Sequence, residues 1–239
     1  MKLTYIYHSG YAIEGEGFTI LIDYYKDSVT ADEGLVHEEL LKKGGRLYVL
    51  CTHSHHDHFN PEILQWKNER PDIIYVFSKE LLLSGTTIAT DAIYLDKLEV
   101  YTDNLLSIKA YGSTDLGGSF LIQIENKTIF HAGDLNNWHW NQESTPEEIE
   151  EAETYYAKEL NVLATDVKHL NLAMFPIDPR LGKDYMKGAQ QFVDTIKTDI
   201  FVPMHFGEAY DKAAAFAVYA KKNGTDCVCW KHRGESINF

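Results

Sequence analysis

The chain has 239 residues, of which 44% are hydrophobic and 13% aromatic. That is enough apolar matter for a sizeable core and too much for a disordered chain. Against 22 basic residues stand 36 acidic ones, for a formal charge of −14. Such a field repels polyanions, so nucleic acid and anionic membrane are excluded as expected partners and a small-molecule substrate is favoured.

No stretch approaches the ~18 apolar residues that a membrane span requires. Met1 to Tyr5 runs straight into strand-like sequence with no signal-peptide pattern. The cysteines are Cys51, Cys227 and Cys229. So few in a chain this long point to a reducing compartment, hence a cytoplasmic location. Cys227 and Cys229 flank one residue, face the same side of a strand, and are expected in the core.

In chain order, Phe18 to Asp23 and Arg46 to Thr52 read as apolar strands. Between them, Leu35, Val36, Leu40 and Leu41 are spaced for one helix face, predicting a helix over Asp32 to Lys43 that stops at Gly44-Gly45. Asn60-Pro61 starts another helix, with Asn60 as its cap. Strands follow at Ile73 to Phe77, Leu105 to Tyr111, Ser119 to Glu125 and Lys127 to Ala132, the last two joined by a turn at Asn126. The run Ser144-Thr145-Pro146-Glu147-Glu148 opens an acidic helix expected to reach about Leu160. Strands at Leu172 to Ile177, Ile200 to Pro203 and Cys227 to Trp230 alternate with helices at Asp184 to Lys197 and Ala213 to Lys222. No linker or repeat divides the chain, so residues 1–239 read as one domain, two packed sheets with helices outside.

Arg46 to Thr52 delivers a polar loop in which His53, His55, Asp57 and His58 fall within six residues. Imidazole nitrogen and carboxylate oxygen suit zinc, iron and manganese. In extended backbone His53 and His55 point the same way and can share one ion. After a bend into the helix at Asn60-Pro61, Asp57 and His58 can face a second ion, with His56 turned away. Two later strand ends carry matching chemistry. In Phe130-His131-Ala132-Gly133-Asp134, Gly133 permits a tight turn that presents Asp134, while His131 reads as a packed strand residue. The apolar run Ile200 to Met204 ends in His205.

The ordered set of HxHxDH at His53 to His58, Gly133-Asp134 and the late His205 resembles the metallo-β-lactamase superfamily. The opening His8-Ser9-Gly10 and Thr19 to Asp23 look like the first hairpin of its lactonase-like branch. The resemblance implies a four-layer αβ/βα sandwich of α/β class. It implies that His53 and His55 hold a first metal, that Asp57, His58 and His205 hold a second, and that Asp134 bridges them. Asp57 and Asp134 are then the candidate catalytic carboxylates. It further implies one or two divalent ions per chain, with zinc expected and iron, manganese or nickel compatible, that activate a water for hydrolysis.

One departure stands out. Where the family carries a third histidine for the first metal, this chain has Gly112-Ser113. His8, Asp115 and His139 are the candidates to replace it or to brace the ligands, and a Gly112→His substitution is expected to raise occupancy of the first site. Beyond Asp134, Trp138, His139 and Trp140 with three asparagines form an amphipathic wall suited to a small polar ligand. Arg180 suits a substrate carboxylate or phosphate, or alternatively pairs with Asp178 or Asp184. Two functions follow. One is a metal-dependent hydrolase of a small ester, lactone, thioester or phosphoester. The other is an attenuated metal- and ligand-binding protein of the same fold.

Overall fold

Each apolar run that alternates with turn residues becomes a strand, and where the run is followed by a helix the next strand is parallel. The computed structural model describes residues 1–239. Its contacts fall into two compact units, Met1–Leu95 with Trp230–Phe239, and Asp96–Cys229.

The first unit is built on a seven-stranded sheet. Its strands are β1 (Lys2–Tyr7), β2 (Gly10–Gly15), β3 (Phe18–Ile22), β4 (Arg46–Cys51), β5 (Ile74–Ser78), β6 (Ile93–Leu95) and β14 (Ser236–Asn238), in the order β14-β1-β2-β3-β4-β5-β6. The strands from β14 to β3 pair antiparallel, β1, β2 and β3 through tight turns, and those from β3 to β6 pair parallel. The parallel register sets Ile22 beside Leu50, so β3 and β4 release their chains at the same edge. One face of the sheet packs Leu21, Leu47, Val49, Cys51 and Phe77 against Val36, Leu40, Ile63 and Trp66.

The helix expected over Asp32 to Lys43 shrinks to a single π-type turn, Val36–Leu40. The buried Asp27 carboxylate accepts from the backbone N–H groups of Ser28, Val36 and His37, which winds the preceding segment around itself. A side-chain acceptor of that kind competes with helical bonding. Asn60 caps as expected, accepting from the Glu62 N–H, but the element is a 3₁₀ helix, Pro61–Asn68. A short helix α1 (Glu80–Leu83) follows β5.

The second unit carries β7 (Val100–Thr102), β8 (Leu106–Tyr111), β9 (Ser119–Ile124), β10 (Lys127–His131), β11 (His169–Pro176), β12 (Lys197–Met204) and β13 (Asp226–Cys227), in the order β13-β12-β11-β10-β9-β8-β7. The β9–β10 turn has Glu125 and Asn126 at φ 49° and 61°. Two successive positive φ values match the twist of a hairpin. From β10 to β13 the pairing is parallel. Helix α2 (Pro146–Asp166) starts at a capping box of Thr145 and Glu148 and runs past its expected end. Phe130, Phe175 and Phe201 of successive strands meet Phe192 of α3 (Lys187–Thr195) and Phe216, which leads from α4 (Tyr210–Ala214) into α5 (Ala217–Lys222).

Of the final cysteine pair only Cys227 lies in a strand. It is half-buried, with its thiol pushed up to about 12 by burial and then by Cys229. Cys229 is exposed, contrary to the core placement expected from its spacing. No helix is long and apolar enough to cross a membrane.

Candidate metal centre

Because β3 and β4 end side by side, Asp23 leaves β3 beside the residues that carry β4 into the histidine loop. Its N–H bonds the Leu50 carbonyl at 3.0 Å. The fully buried Asp23 carboxylate then organises that loop. It accepts from the Thr52 N–H at 2.8 Å, the Thr52 hydroxyl at 2.7 Å and His58 Nδ1–H at 2.7 Å. With its proton committed to Asp23, Thr52 Oγ1 accepts from His53 Nδ1–H at 3.1 Å. Both histidines are thereby set with Nε2 available to an ion, the tautomer that outer carboxylates impose on metal ligands.

The loop is fixed from other directions too. The Glu80 carboxylate accepts from the Ser54 N–H at 2.8 Å and the Ser54 hydroxyl at 2.7 Å. The His55 carbonyl accepts from the His58 and Phe59 N–H groups, making the bend that separates His55 from His58. His56 is exposed, as expected, its ring edge-on to Tyr25.

The spacing of ligand atoms tests whether a metal fits. His53 Nε2 and His55 Nδ1 lie 3.1 Å apart. His8, Asp57 and His58 each offer one ligand atom, all within 4.8 Å of one another. Two ligand atoms that share one ion at ~2.0–2.1 Å are separated by about 3.0–3.5 Å in tetrahedral or octahedral geometry. The donors are imidazole nitrogens and carboxylate oxygens, a set that suits zinc, iron, manganese or nickel. The residues fit a divalent ion.

In the second unit the parallel β10, β11 and β12 end at one edge, and each delivers a His or Asp there. Gly133, at φ 52°, makes the turn after β10, and its N–H bonds His131 Nδ1, so His131 is a packed residue that helps shape the turn. Asp134 follows, nearly buried, its carbonyl accepting from Trp138 Nε1 at 2.8 Å. His205 follows β12 with Nε2 3.4 Å from Asp134 Oδ1, again the separation of atoms sharing an ion. Its Nδ1–H donates to Asp178, just past β11, at 3.0 Å. Burial would raise the Asp178 carboxyl, but hydrogen bonds from His205 and Arg180 outweigh that and hold it at about 2.

Arg180 pairs with Asp178. Its Nε donates to both Asp178 oxygens, at 3.0 and 2.9 Å, so it anchors the carboxylate that orients His205. Trp138 sets its ring edge-on to His205 at 5.5 Å and stacks on Trp140 at 6.2 Å, and both indoles are partly exposed.

His8, Asp115 and His139, expected to replace the third histidine or to brace the ligands, differ in their settings. His8 groups with Asp57 and His58. Asp115 is exposed on its loop. His139 is buried with both ring nitrogens bonded, Nε2 to the Asp184 carbonyl and Nδ1 to the Asn141 N–H.

A side chain at Gly112 would have to displace the Glu159 carboxylate. A Cβ there would lie 2.0 Å from Glu159 Oε2 and 3.3 Å from Lys97 Nζ. Lys97 holds that nearly buried carboxylate at 2.8 and 2.6 Å, so an ion pair fills the volume a larger side chain would take. Two residues on, Thr114 clamps the Asp134 loop, bonding the Asn136 carbonyl at 2.6 Å and the Asn136 N–H at 2.9 Å.

Asp23, Glu80 and the ligand-orienting role of Asp178 escape a reading by motif. The one sequence signal of the two aspartates is position: Asp23 and Asp178 stand just past the ends of apolar strands, as the candidate ligands do. The backbone marks the same places. His8, Asp23 and His205 adopt φ of 56°, 49° and 63°, a region most non-glycine residues avoid and one that concentrates at functional sites.

A profile of the beta-lactamase superfamily domain matches residues 2–205. The chain belongs to the metallo-β-lactamase superfamily. A metal-dependent hydrolase of Desulforamulus reducens is 25% identical over 86% of this chain and 84% of its own. Among solved structures, a metallo hydrolase from the archaeon Ignicoccus hospitalis superposes on all of this chain and 97% of its own, with a TM-score of 0.69 at 19% identity. The diiron β-hydroxylase of Streptomyces venezuelae covers all of this chain with 54% of its own, at a TM-score of 0.67 and 14% identity. The fold is thus the α/β sandwich that the ordered motifs implied.

Proposed function

We propose that this superfamily member is a metal-dependent hydrolase acting with an activated water on a small ester, lactone, thioester or phosphoester. The observation that carries the reading is the ligand-atom spacing of 3.1 to 3.4 Å among buried or half-buried His and Asp pairs at strand ends. By the family's ligand order, His53, His55 and Asp134 would hold one ion, and Asp57, His58, His205 and Asp134 the other. When bound, such ions lower the pKa of water toward neutrality and draw charge from the scissile bond.

The chain's own groups supply the rest. Asp23 and Asp178 fix the imidazole tautomers. Trp138 and Trp140 offer a partly exposed aromatic surface beside His205 for the substrate body. The net charge of −14 favours a small substrate over a polyanion.

A second reading, a metal- and ligand-binding protein with attenuated catalysis, has one observation in its favour: Gly112 gives the first ion no donor, and Glu159 fills its space. Hydrolysis of a panel of generic esters, lactones, thioesters and phosphodiesters separates the two. The hydrolase reading expects turnover that requires added zinc, iron or manganese and falls ~10²–10³-fold or more in Asp134→Ala, the scale of losing one electrostatic stabiliser. Tight metal binding with no turnover across the panel selects the binding protein.

A further inference from the structure

We propose that His8 is a protein ligand of the second ion, the one assigned to Asp57 and His58. This rests on the dinuclear reading above. His8 Nε2 lies 3.3 Å from Asp57 Oδ2, the spacing of two atoms on one ion. Its ring meets the His58 ring edge-on at 5.9 Å, and the three residues' ligand atoms are all within 4.8 Å of one another. His8 stands at the tip of the β1–β2 hairpin, in chain terms far from the histidine loop.

The hairpin is constructed to hold it there. His8 has a left-handed backbone, and its N–H donates to the Tyr5 hydroxyl at 3.0 Å. The Tyr5 ring stacks on Trp230 at 5.7 Å and tilts against Tyr11 at 5.4 Å, while Trp230 Nε1 donates to the Tyr11 hydroxyl at 3.1 Å. Two residues on, Gly10 lets the tip close on the end of β3: a Cβ there would lie 2.9 Å from the Tyr7 carbonyl and 3.1 Å from the Asp23 carbonyl. The same Asp23 orients His58 through its carboxylate. A turn that needed only polarity would not require a strained histidine, a pinned tyrosine and a glycine at these positions. With His8 added, the second ion has a closed set of protein donors, whereas the first keeps open positions. Closed sets hold ions firmly, and open ones admit water or substrate.

The test uses His8→Asn, since asparagine accepts the left-handed backbone, with His8→Gly as a second variant that relaxes it. Full-length apo protein is loaded with cobalt(II) and followed by chelator competition and visible absorption. His8→Asn is expected to bind its tighter ion at least ~10-fold more weakly and to lose one imidazole's contribution to the cobalt spectrum, with unchanged thermal unfolding of the apo protein. Unchanged affinity and spectrum in both variants overturn the proposal and leave the dinuclear reading standing. A wild type that binds no second ion overturns the dinuclear reading, and with it the ion His8 is proposed to hold.

Discussion

The His58 side and the His53 side of the nest are made by one six-residue loop, yet they are braced differently. His58 gives its Nδ1–H straight to the buried Asp23 carboxylate at 2.7 Å. His53 reaches the same carboxylate only through the Thr52 hydroxyl, at 3.1 Å. On the His58 side a further imidazole, His8, stands within ligand spacing of Asp57. Gly112, where the resemblance expects a third histidine, offers no donor, and a Cβ there would meet Glu159. A charged acceptor raises the basicity of the histidine it orients more than a hydroxyl does. On the dinuclear reading the two groups from one loop differ in donor number and in support, and the two ions they would hold are expected to differ in affinity.

The sharpest way to break this asymmetry is at its shared anchor. Asp23→Asn takes the charge from the acceptor that His58 and, through Thr52, His53 depend on. Metal affinity should fall by ~10–100-fold, the cost of losing an outer partner, with the tighter ion affected most. Isothermal titration of the apo protein checks this. If only the weaker ion loosens, the assignment of Asp23 to the tight side is wrong.

A smaller effect is expected at Asp178→Asn. The amide still accepts from His205 but no longer carries the charge that Arg180 stabilises. The tighter ion should weaken by about 10-fold, near the lower end for an orienting partner. Arg180→Lys, which loses the planar fork, should move affinity in the same direction by less. A substrate role for Arg180 would instead raise KM and leave metal binding unchanged.

The smallest effect on metal content is expected at Gly112→His. The Glu159–Lys97 pair blocks the new side chain, so stoichiometry should not rise. Overpacking at this buried position should cost ~1–3 kcal/mol in chemical denaturation. A clear gain of metal without loss of stability would mean that the loop opens and that the first site lacks only this donor.

Much of the fold and part of this site were legible in the sequence, for a shared reason. Apolar strands ending in His or Asp mark where a parallel sheet releases its chain, and the order of those ends is a family signature. His53 to His58, Asp134 and His205 were proposed that way. Partners joined only by register were not. Asp23 meets Thr52 because β3 and β4 run parallel with Ile22 beside Leu50, a pairing no local pattern encodes. Asp178 and His205 are 27 residues apart and meet because β11 and β12 align Pro176 with Met204. Gly112 was read as a missing donor, and the Glu159 side chain that a Cβ there would meet comes from α2, far along the chain. The helix over Asp32 to Lys43 failed because Asp27, outside the periodic window, captured its first N–H groups.

The most direct test of this account is a stepwise metal titration of apo protein that has never met an affinity resin, with elemental analysis at each plateau. Unequal ligation predicts two ions per chain, the second binding at least ~10-fold more weakly than the first, and the tighter one lost on substitution of His58 but retained on substitution of His55. Two ions of equal affinity, or a tighter ion that depends on His55 and not on His58, would contradict it.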